Sequence, residues 1–109
     1  MEKTASRFYE LKGRIALNSA GKPKNGQELK VIKNMWGQES IFCIFNWKDG
    51  LLHSEDDTPA VQMSDTHTEY WTNGKIDNNR RDVNNELMPA VISDYGRIRE
   101  YWINGTRIK

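Results

Sequence analysis

An internal repeat is the feature that most constrains how this chain can fold. Residues 59–61 and 89–91 both read Pro-Ala-Val, and residues 29–31, at the same step upstream, read Leu-Lys-Val. Each triplet is followed by an aromatic segment that ends in glycine, at residues 45–50, 69–74 and 100–105. The shared pattern is an aromatic residue, tryptophan, any residue, Asn or Asp, and glycine. Such a repeat predicts one supersecondary unit that is used several times in succession.

Each part of the repeat has a physical reason to form a β-hairpin. Proline lacks a backbone N–H, so Pro59 and Pro89 suit the first residue of a strand. Asn-Gly or Asp-Gly after the aromatic strand favours a turn with positive φ, which reverses the chain. The sequence therefore predicts an all-β fold, an antiparallel meander of repeated β-hairpins that forms one twisted sheet or a short β-solenoid.

The length of 109 residues leaves room for one domain. We predict a single repeat domain over residues 1–109, with degenerate units at about 8–50 and clear units at about 45–74 and 75–109. The chain has few aliphatic residues but 4 Trp, 4 Tyr and 3 Phe, at a mean hydropathy of −0.82. Large rings that cover much backbone suit thin sheets better than a helical bundle.

The two clear units resemble the MORN-like repeat. Residues 51–61 end in Pro-Ala-Val and lead to Glu-Tyr-Trp-Thr-Asn-Gly, and residues 80–91 lead in the same way to Glu-Tyr-Trp-Ile-Asn-Gly. The repeat has the loose form HR-x-D-x-PAV, a turn with glycine, and EYW-x-NGK. Ser54 and Arg80 depart from it, and residues 8–44 match it poorly. The resemblance implies a binding scaffold without catalytic machinery.

Short proteins of this repeat family occur in phages, large DNA viruses and bacteria. The resemblance therefore implies a small phage-type accessory protein that binds and blocks a bacterial host factor. An anti-defence or anti-CRISPR inhibitor is the most specific form of this prediction.

Neighbouring residues on a strand point to opposite faces, so the repeat tryptophans and their aromatic neighbours should separate. The packed row that we expect consists of Trp47, Trp71 and Trp102. The aromatic residues left for solvent or for a partner are Phe45, Tyr70 and Tyr101.

Charged residues supply the other candidate binding groups. The net charge of +1 hides blocks of +5 at residues 1–33, −6 at residues 34–79 and +2 at residues 80–109. Such blocks can steer a charged partner or complement one another within the fold or in a dimer. The predicted partner-binding residues are Tyr70, Tyr101, Arg97, Arg99, Arg80, Arg81, Glu55, Asp56, Asp57 and, in the long excursion of the first unit, Trp36. A solvated strand face and a solvated loop are the plain alternatives for the arginines and the acidic residues.

Neither catalysis nor a cofactor is predicted. His53 and His67 have no Cys or His partner at metal-ligand spacing, and Glu55-Asp56-Asp57 lacks the ligand spacing of a Ca²⁺ loop. The single cysteine, Cys43, cannot form an intrachain disulfide, and the first residues lack the apolar centre of a secretory signal. These features favour a cytoplasmic protein with no membrane association.

Two binding functions remain open from the sequence. The first is capture of a protein partner by occlusion. The second is binding of nucleic acid or a phosphorylated small molecule through residues 22–33 and Arg97 and Arg99, although a pI near 7.8 is low for such a protein. Open strand edges also make a homodimer a reasonable expectation.

Overall fold

The structure, a computed structural model, describes residues 4–109. Short strands make up most of its regular structure, with two 3-10 helices at Tyr9–Leu11 and Asp94–Gly96. In chain order the strands are β1 (Gly26–Lys33), β2 (Glu39–Lys48), β3 (Leu51–Leu52), β4 (Val61–Met63), β5 (Thr68–Glu69), β6 (Trp71–Thr72), β7 (Lys75–Ile76), β8 (Val91–Ser93), β9 (Ile98–Glu100), β10 (Trp102–Ile103) and β11 (Thr106–Arg107).

Seven of these strands form one antiparallel sheet in the order β1-β2-β4-β5-β8-β9, with β3 paired to the end of β2. The pairs β6–β7 and β10–β11 are separate two-stranded hairpins, each of which follows one residue after a strand of the sheet. The prediction of an all-β fold made of successive antiparallel hairpins is confirmed.

The hairpin turns follow from the Asn-Gly and Asp-Gly pairs. A two-residue turn of this type needs positive φ at both central residues, which asparagine, aspartate and glycine tolerate best. The observed φ values are 51° and 81° at Asp49-Gly50, 47° and 80° at Asn73-Gly74, and 50° and 82° at Asn104-Gly105.

The glycine of each turn donates a backbone hydrogen bond to an earlier segment, which for Gly74 and Gly105 is the returning strand of the preceding hairpin. The three bonds are Gly50 N–H to the Lys24 carbonyl (2.7 Å), Gly74 N–H to the Leu52 carbonyl (2.9 Å) and Gly105 N–H to the Ile76 carbonyl (2.8 Å). The repeats therefore meet one another in the same way at each step, which is what gives a short repeat array its stability.

The strand register places one residue from each strand in a row across the inner face of the sheet. This inner row is Glu28, Phe45, Val61, Glu69, Val91 and Glu100. Trp71 and Trp102 are completely buried and Trp47 is 9% exposed, so the predicted packed row of tryptophans is confirmed.

The expectation that Phe45 would be left for solvent is wrong. Phe45 lies two residues before Trp47, and residues two apart on a strand share a face. Phe45 is therefore buried on the inner face, where its ring meets that of Phe8 edge to face at 5.1 Å between centroids. The tyrosines, each directly before a tryptophan, are half-buried on the other side.

The segment that precedes β1 crosses the repeats twice. Residues 4–8 run over the inner face from the last unit to the first. Further along, Gly13 N–H donates to the Gly74 carbonyl (3.1 Å) and Ala16 N–H to the Gly50 carbonyl (2.8 Å), along the stack of turns. This segment ties all the units into one body.

The two 3-10 helices found within residues 4–109 have three residues each, so neither could span a membrane.

Candidate protein-interaction surface

The hairpin of β1 and β2 extends beyond the rest of the sheet. Strand β4 pairs with β2 only at Cys43, Ile44 and Phe45, and the last neighbouring contact is a hydrogen bond from Ser64 N–H to the Phe42 carbonyl. Residues 31–41, which we call the hairpin end, therefore pair only with each other. The hairpin end begins where a β-bulge shifts the register between Lys30 and Val31.

The hairpin end exposes large apolar side chains. Met35 and Trp36 at its tip are 86% and 78% exposed, and the cross-strand pair Val31 and Ile41 is about half exposed. Ile32 is also half exposed and, as the neighbour of Val31, points to the opposite face of the ribbon. Exposed apolar side chains are therefore concentrated on both faces and at the tip of this short ribbon, which is typical of an interaction surface.

The tip of the hairpin end is held in one conformation by Asn34. Its side-chain oxygen accepts the backbone N–H groups of Trp36 (2.9 Å) and Gln38 (3.0 Å), and its amide donates to Gln38 Oε1 (2.9 Å). Gly37 supplies the positive φ that the turn requires. The indole of Trp36 is therefore presented from an ordered turn.

The hairpin end carries no net charge. Its two ionisable side chains, Lys33 and Glu39, face each other across the strands with their charged atoms 3.5 Å apart. The two cations at its base, Lys24 and Lys30, both bind Glu28, at 2.9 Å and 3.4 Å. The hydrogen bond from Lys24 holds the pKa of the Glu28 carboxyl below its usual value; partial burial opposes this, and the hydrogen bond from the Trp47 indole reinforces it.

Three of the residues predicted to bind a partner meet on the outer side of the second unit. The guanidinium of Arg80 lies over the ring of Tyr70, 5.8 Å from its centroid, and Arg80 Nε is 3.3 Å from Asp57 Oδ1. Of the other acidic loop residues, Glu55 is 3.4 Å from His53 Nε2, and Asp56 occupies a positive-φ turn position at 52°. The acidic loop is exposed, but part of its negative charge is neutralised by Arg80.

A second group of predicted residues lies on the last unit. Arg99 and Tyr101 line an open cavity of about 480 Å³ together with Pro89, Ile92 and Lys109. Lys109 Nζ sits 4.9 Å from the centroid of the Tyr101 ring.

The remaining predicted arginines have contacts within their own segments. Arg97 is 3.4 Å from Asp94, and Arg81 donates to the Asn85 carbonyl at 3.1 Å. Neither arginine lies near Trp36, which among the predicted partner-binding residues is the one located at the hairpin end. The predicted site residues therefore form separate surfaces rather than one site.

Sequence reasoning missed two buried carboxylates. Glu69 and Glu100 are 0% and 3% exposed, and each accepts the indole N–H of the tryptophan two residues later. The signal was present, because glutamate stands at the same place in both clear units and shares a strand face with the tryptophan.

A buried polar chain extends from Glu69. His67 Nε2 is 2.6 Å from Glu69 Oε2, and His67 Nδ1 is 2.9 Å from Ser93 Oγ. Serine, histidine and glutamate are also the components of some hydrolytic sites. Here the histidine ring is completely buried, and both of its nitrogens are hydrogen-bonded to other side chains of the protein. These three side chains therefore form an internal hydrogen-bond network.

Within residues 4–109, no group of three or more His, Cys, Asp or Glu side chains is arranged to hold a metal ion. No protein-family model matches this chain, and comparisons with curated proteins and with solved structures gave no match.

Proposed function

We propose that this protein is a non-enzymatic protein-binding module whose hairpin end enters an apolar cleft on a partner and occludes it. One observation carries the proposal: Met35 and Trp36 are almost fully exposed at the tip of a hairpin whose turn is ordered by Asn34. Tryptophan is the residue most enriched among the anchors of protein interfaces, where a few such side chains carry most of the binding energy.

The shape and charge of the hairpin end favour a cleft in a protein. Apolar side chains stand on both faces of the ribbon, so a flat surface would cover only one of them. The pairing of Lys33 with Glu39 leaves no net charge to attract phosphate. Interface cores are likewise depleted of charge and rich in aromatic residues and methionine.

The finer prediction of a phage-type inhibitor of a bacterial host factor rests on the repeat resemblance and stays a prediction. The alternative, binding of nucleic acid or a phosphorylated small molecule, has less support. Of the cations in residues 22–33 and at Arg97 and Arg99 that this function would use, four already have a carboxylate partner within the chain: Lys24, Lys30, Lys33 and Arg97.

The test is capture from a bacterial lysate with three tagged proteins: wild type, Trp36→Ala and Tyr95→Ala. Tyr95 is 71% exposed and lies outside the hairpin end, so Tyr95→Ala is the matched control. We expect one protein to be retained in stoichiometric amount by wild type and by Tyr95→Ala but not by Trp36→Ala.

Before the capture experiment, the molecular mass of each of the three proteins is measured in solution. A dimer that Trp36→Ala dissociates would show that a second copy covers the hairpin end and would overturn the proposal. Equal capture by all three proteins, or retention of nothing above a tag-only control, would also overturn it.

A further inference from the structure

Residues 4–8, which we call the strap, occupy a groove on the inner face of the sheet. At the last unit, Thr4 Oγ1 donates to Glu100 Oε1 (2.5 Å), and the backbone N–H of Ala5 donates to Glu100 Oε2 (2.5 Å). One carboxylate thus binds the hydroxyl of one strap residue and the N–H of the next.

The same contact recurs one unit further along. Ser6 Oγ donates to Glu69 Oε1 (2.8 Å), and the backbone N–H of Arg7 donates to Glu69 Oε2 (2.8 Å). The strap therefore advances by two residues for each repeat that it crosses.

The hydroxyl groups also shape the strap. Thr4 Oγ1 accepts the N–H of Ser6 (3.0 Å), and Ser6 Oγ accepts the N–H of Phe8 (3.3 Å). Phe8 then meets Phe45, which stands in the first unit where the later units have glutamate. The strap thus matches the inner row at each unit. Hydroxyl groups of the strap contact Glu100 and Glu69, and the Phe8 ring contacts Phe45.

We propose that this groove is a peptide-binding site that reads Ser/Thr, any residue, Ser/Thr, any residue, aromatic, and that the strap is its built-in occupant. The partner that fits is an extended segment of another protein with that pattern, which competes with the strap. This inference goes beyond the proposed function, because it does not involve the hairpin end.

Specificity for the hydroxyls follows from the burial of the glutamates. An apolar residue in place of either hydroxyl would remove one of the two donors to a buried carboxylate oxygen and leave it with the tryptophan indole alone, so a peptide without the hydroxyls should bind less tightly. The pattern leaves the fourth position open: Arg7 there makes only a half-exposed ion pair with Asp65, at 2.9 Å, at the sheet margin.

The test uses a variant of the 109-residue chain in which the contacts of the strap are weakened. A synthetic peptide with the strap sequence is then added and its binding is measured. The tethered strap competes at an effective concentration on the order of millimolar, so wild type should bind a free peptide poorly. We expect the double variant Thr4→Ala, Ser6→Ala to bind a fluorescent peptide of residues 1–12 at least about 10-fold more tightly than wild type does. A peptide with alanine at both hydroxyl positions should bind it more weakly than the peptide with the native sequence does.

Ser19→Ala, an exposed hydroxyl outside the strap, is the control and should match wild type. A folded double variant that does not bind the peptide, or that binds the alanine peptide equally well, would overturn the inference.

If the double variant does not fold, the readout moves to the wild-type protein labelled with ¹⁵N. Millimolar peptide should shift the amide signals of Ala5 and Arg7, and unchanged signals would overturn the inference. Trp36→Ala should leave peptide binding intact, which separates this result from the test of the hairpin end.

Discussion

The indole N–H of Trp71 donates a 2.8 Å hydrogen bond to the buried carboxylate of Glu69, two residues earlier in the chain. Trp102 and Glu100 repeat this relationship at 3.0 Å. A buried carboxylate is costly unless its oxygens are hydrogen-bonded, so each pair fixes both the tryptophan and whatever else the carboxylate binds. In this fold, the carboxylates bind the strap.

The first unit keeps the relationship although its sequence has changed. Phe45 stands in the glutamate position, and the Trp47 indole instead donates to Glu28 on the neighbouring strand at 2.9 Å. A carboxylate under each repeat tryptophan is therefore a property of the structure rather than of one sequence position.

The first prediction concerns Glu69. Glu69→Gln turns one acceptor oxygen into a donor that faces other donors, so we expect a loss of about 1.5–3 kcal/mol in the free energy of unfolding. The change in the free energy of unfolding is measured by urea denaturation, with tryptophan fluorescence as the signal. Glu86→Gln, at an exposed position, is the control, and equal stability of the two variants would show that the buried carboxylate is not needed.

The turn glycines allow a graded test. Gly50 and Gly37 both have positive φ, 81° and 78°, so alanine at either position carries the same backbone strain. A Cβ at Gly50 would collide with the side chain of Ile15 and lie 2.9 Å from the backbone carbonyl oxygen of Ala16, whereas a Cβ at Gly37 would meet nothing.

We therefore expect Gly50→Ala to destabilise the protein by at least about 1 kcal/mol more than Gly37→Ala does. Thermal unfolding of the two variants gives the difference directly. Equal melting temperatures would mean that the segment of residues 13–16 does not pack on the stack of turns.

The pH dependence of stability should involve Glu28. Because the pKa of its carboxyl is lowered in the folded state, the stability that it contributes is present above about pH 4.5 and is lost as the pH falls through the lowered value. Glu28→Gln should therefore lose less stability than wild type between pH 6 and pH 3. Glu10→Gln, at an exposed position, should follow the wild-type curve, and parallel curves for all three proteins would contradict the prediction.

Cys43 should be inert in the folded protein. Its side chain is 1% exposed, and burial, reinforced by the charge of Glu69, raises the pKa of its thiol, so little thiolate forms at neutral pH. A thiol reagent at pH 8 should react slowly with native protein and rapidly in urea. Rapid labelling without denaturant would show that the sheet opens at β2.

Local chemistry made the turns and the tryptophan row predictable. Asn-Gly pairs specify positive φ within two residues, and strand alternation places Trp71 and Trp102 on one face. The strap was not predictable, because Ser6 and Glu69 are 63 residues apart and Thr4 and Glu100 are 96 apart, with no local signal that connects them.

The candidate site was predicted only in part. Trp36 was predicted as a binding residue in the long excursion of the first unit, and its binding role stays a prediction. Its exposure depends on where β4 stops pairing with β2, which no local pattern reveals. The contact of Arg80 with Asp57 joins two connectors of different units, and an arginine in a connector carries no sequence signal for its partner.

Oxidative footprinting of the purified complex, read residue by residue by mass spectrometry, tests most directly whether the hairpin end is the binding surface. Binding should suppress oxidation of Met35 and Trp36 while Tyr95 stays as reactive as in the free protein. Oxidation of Met35 and Trp36 at the same rate in the free and bound protein would contradict the account.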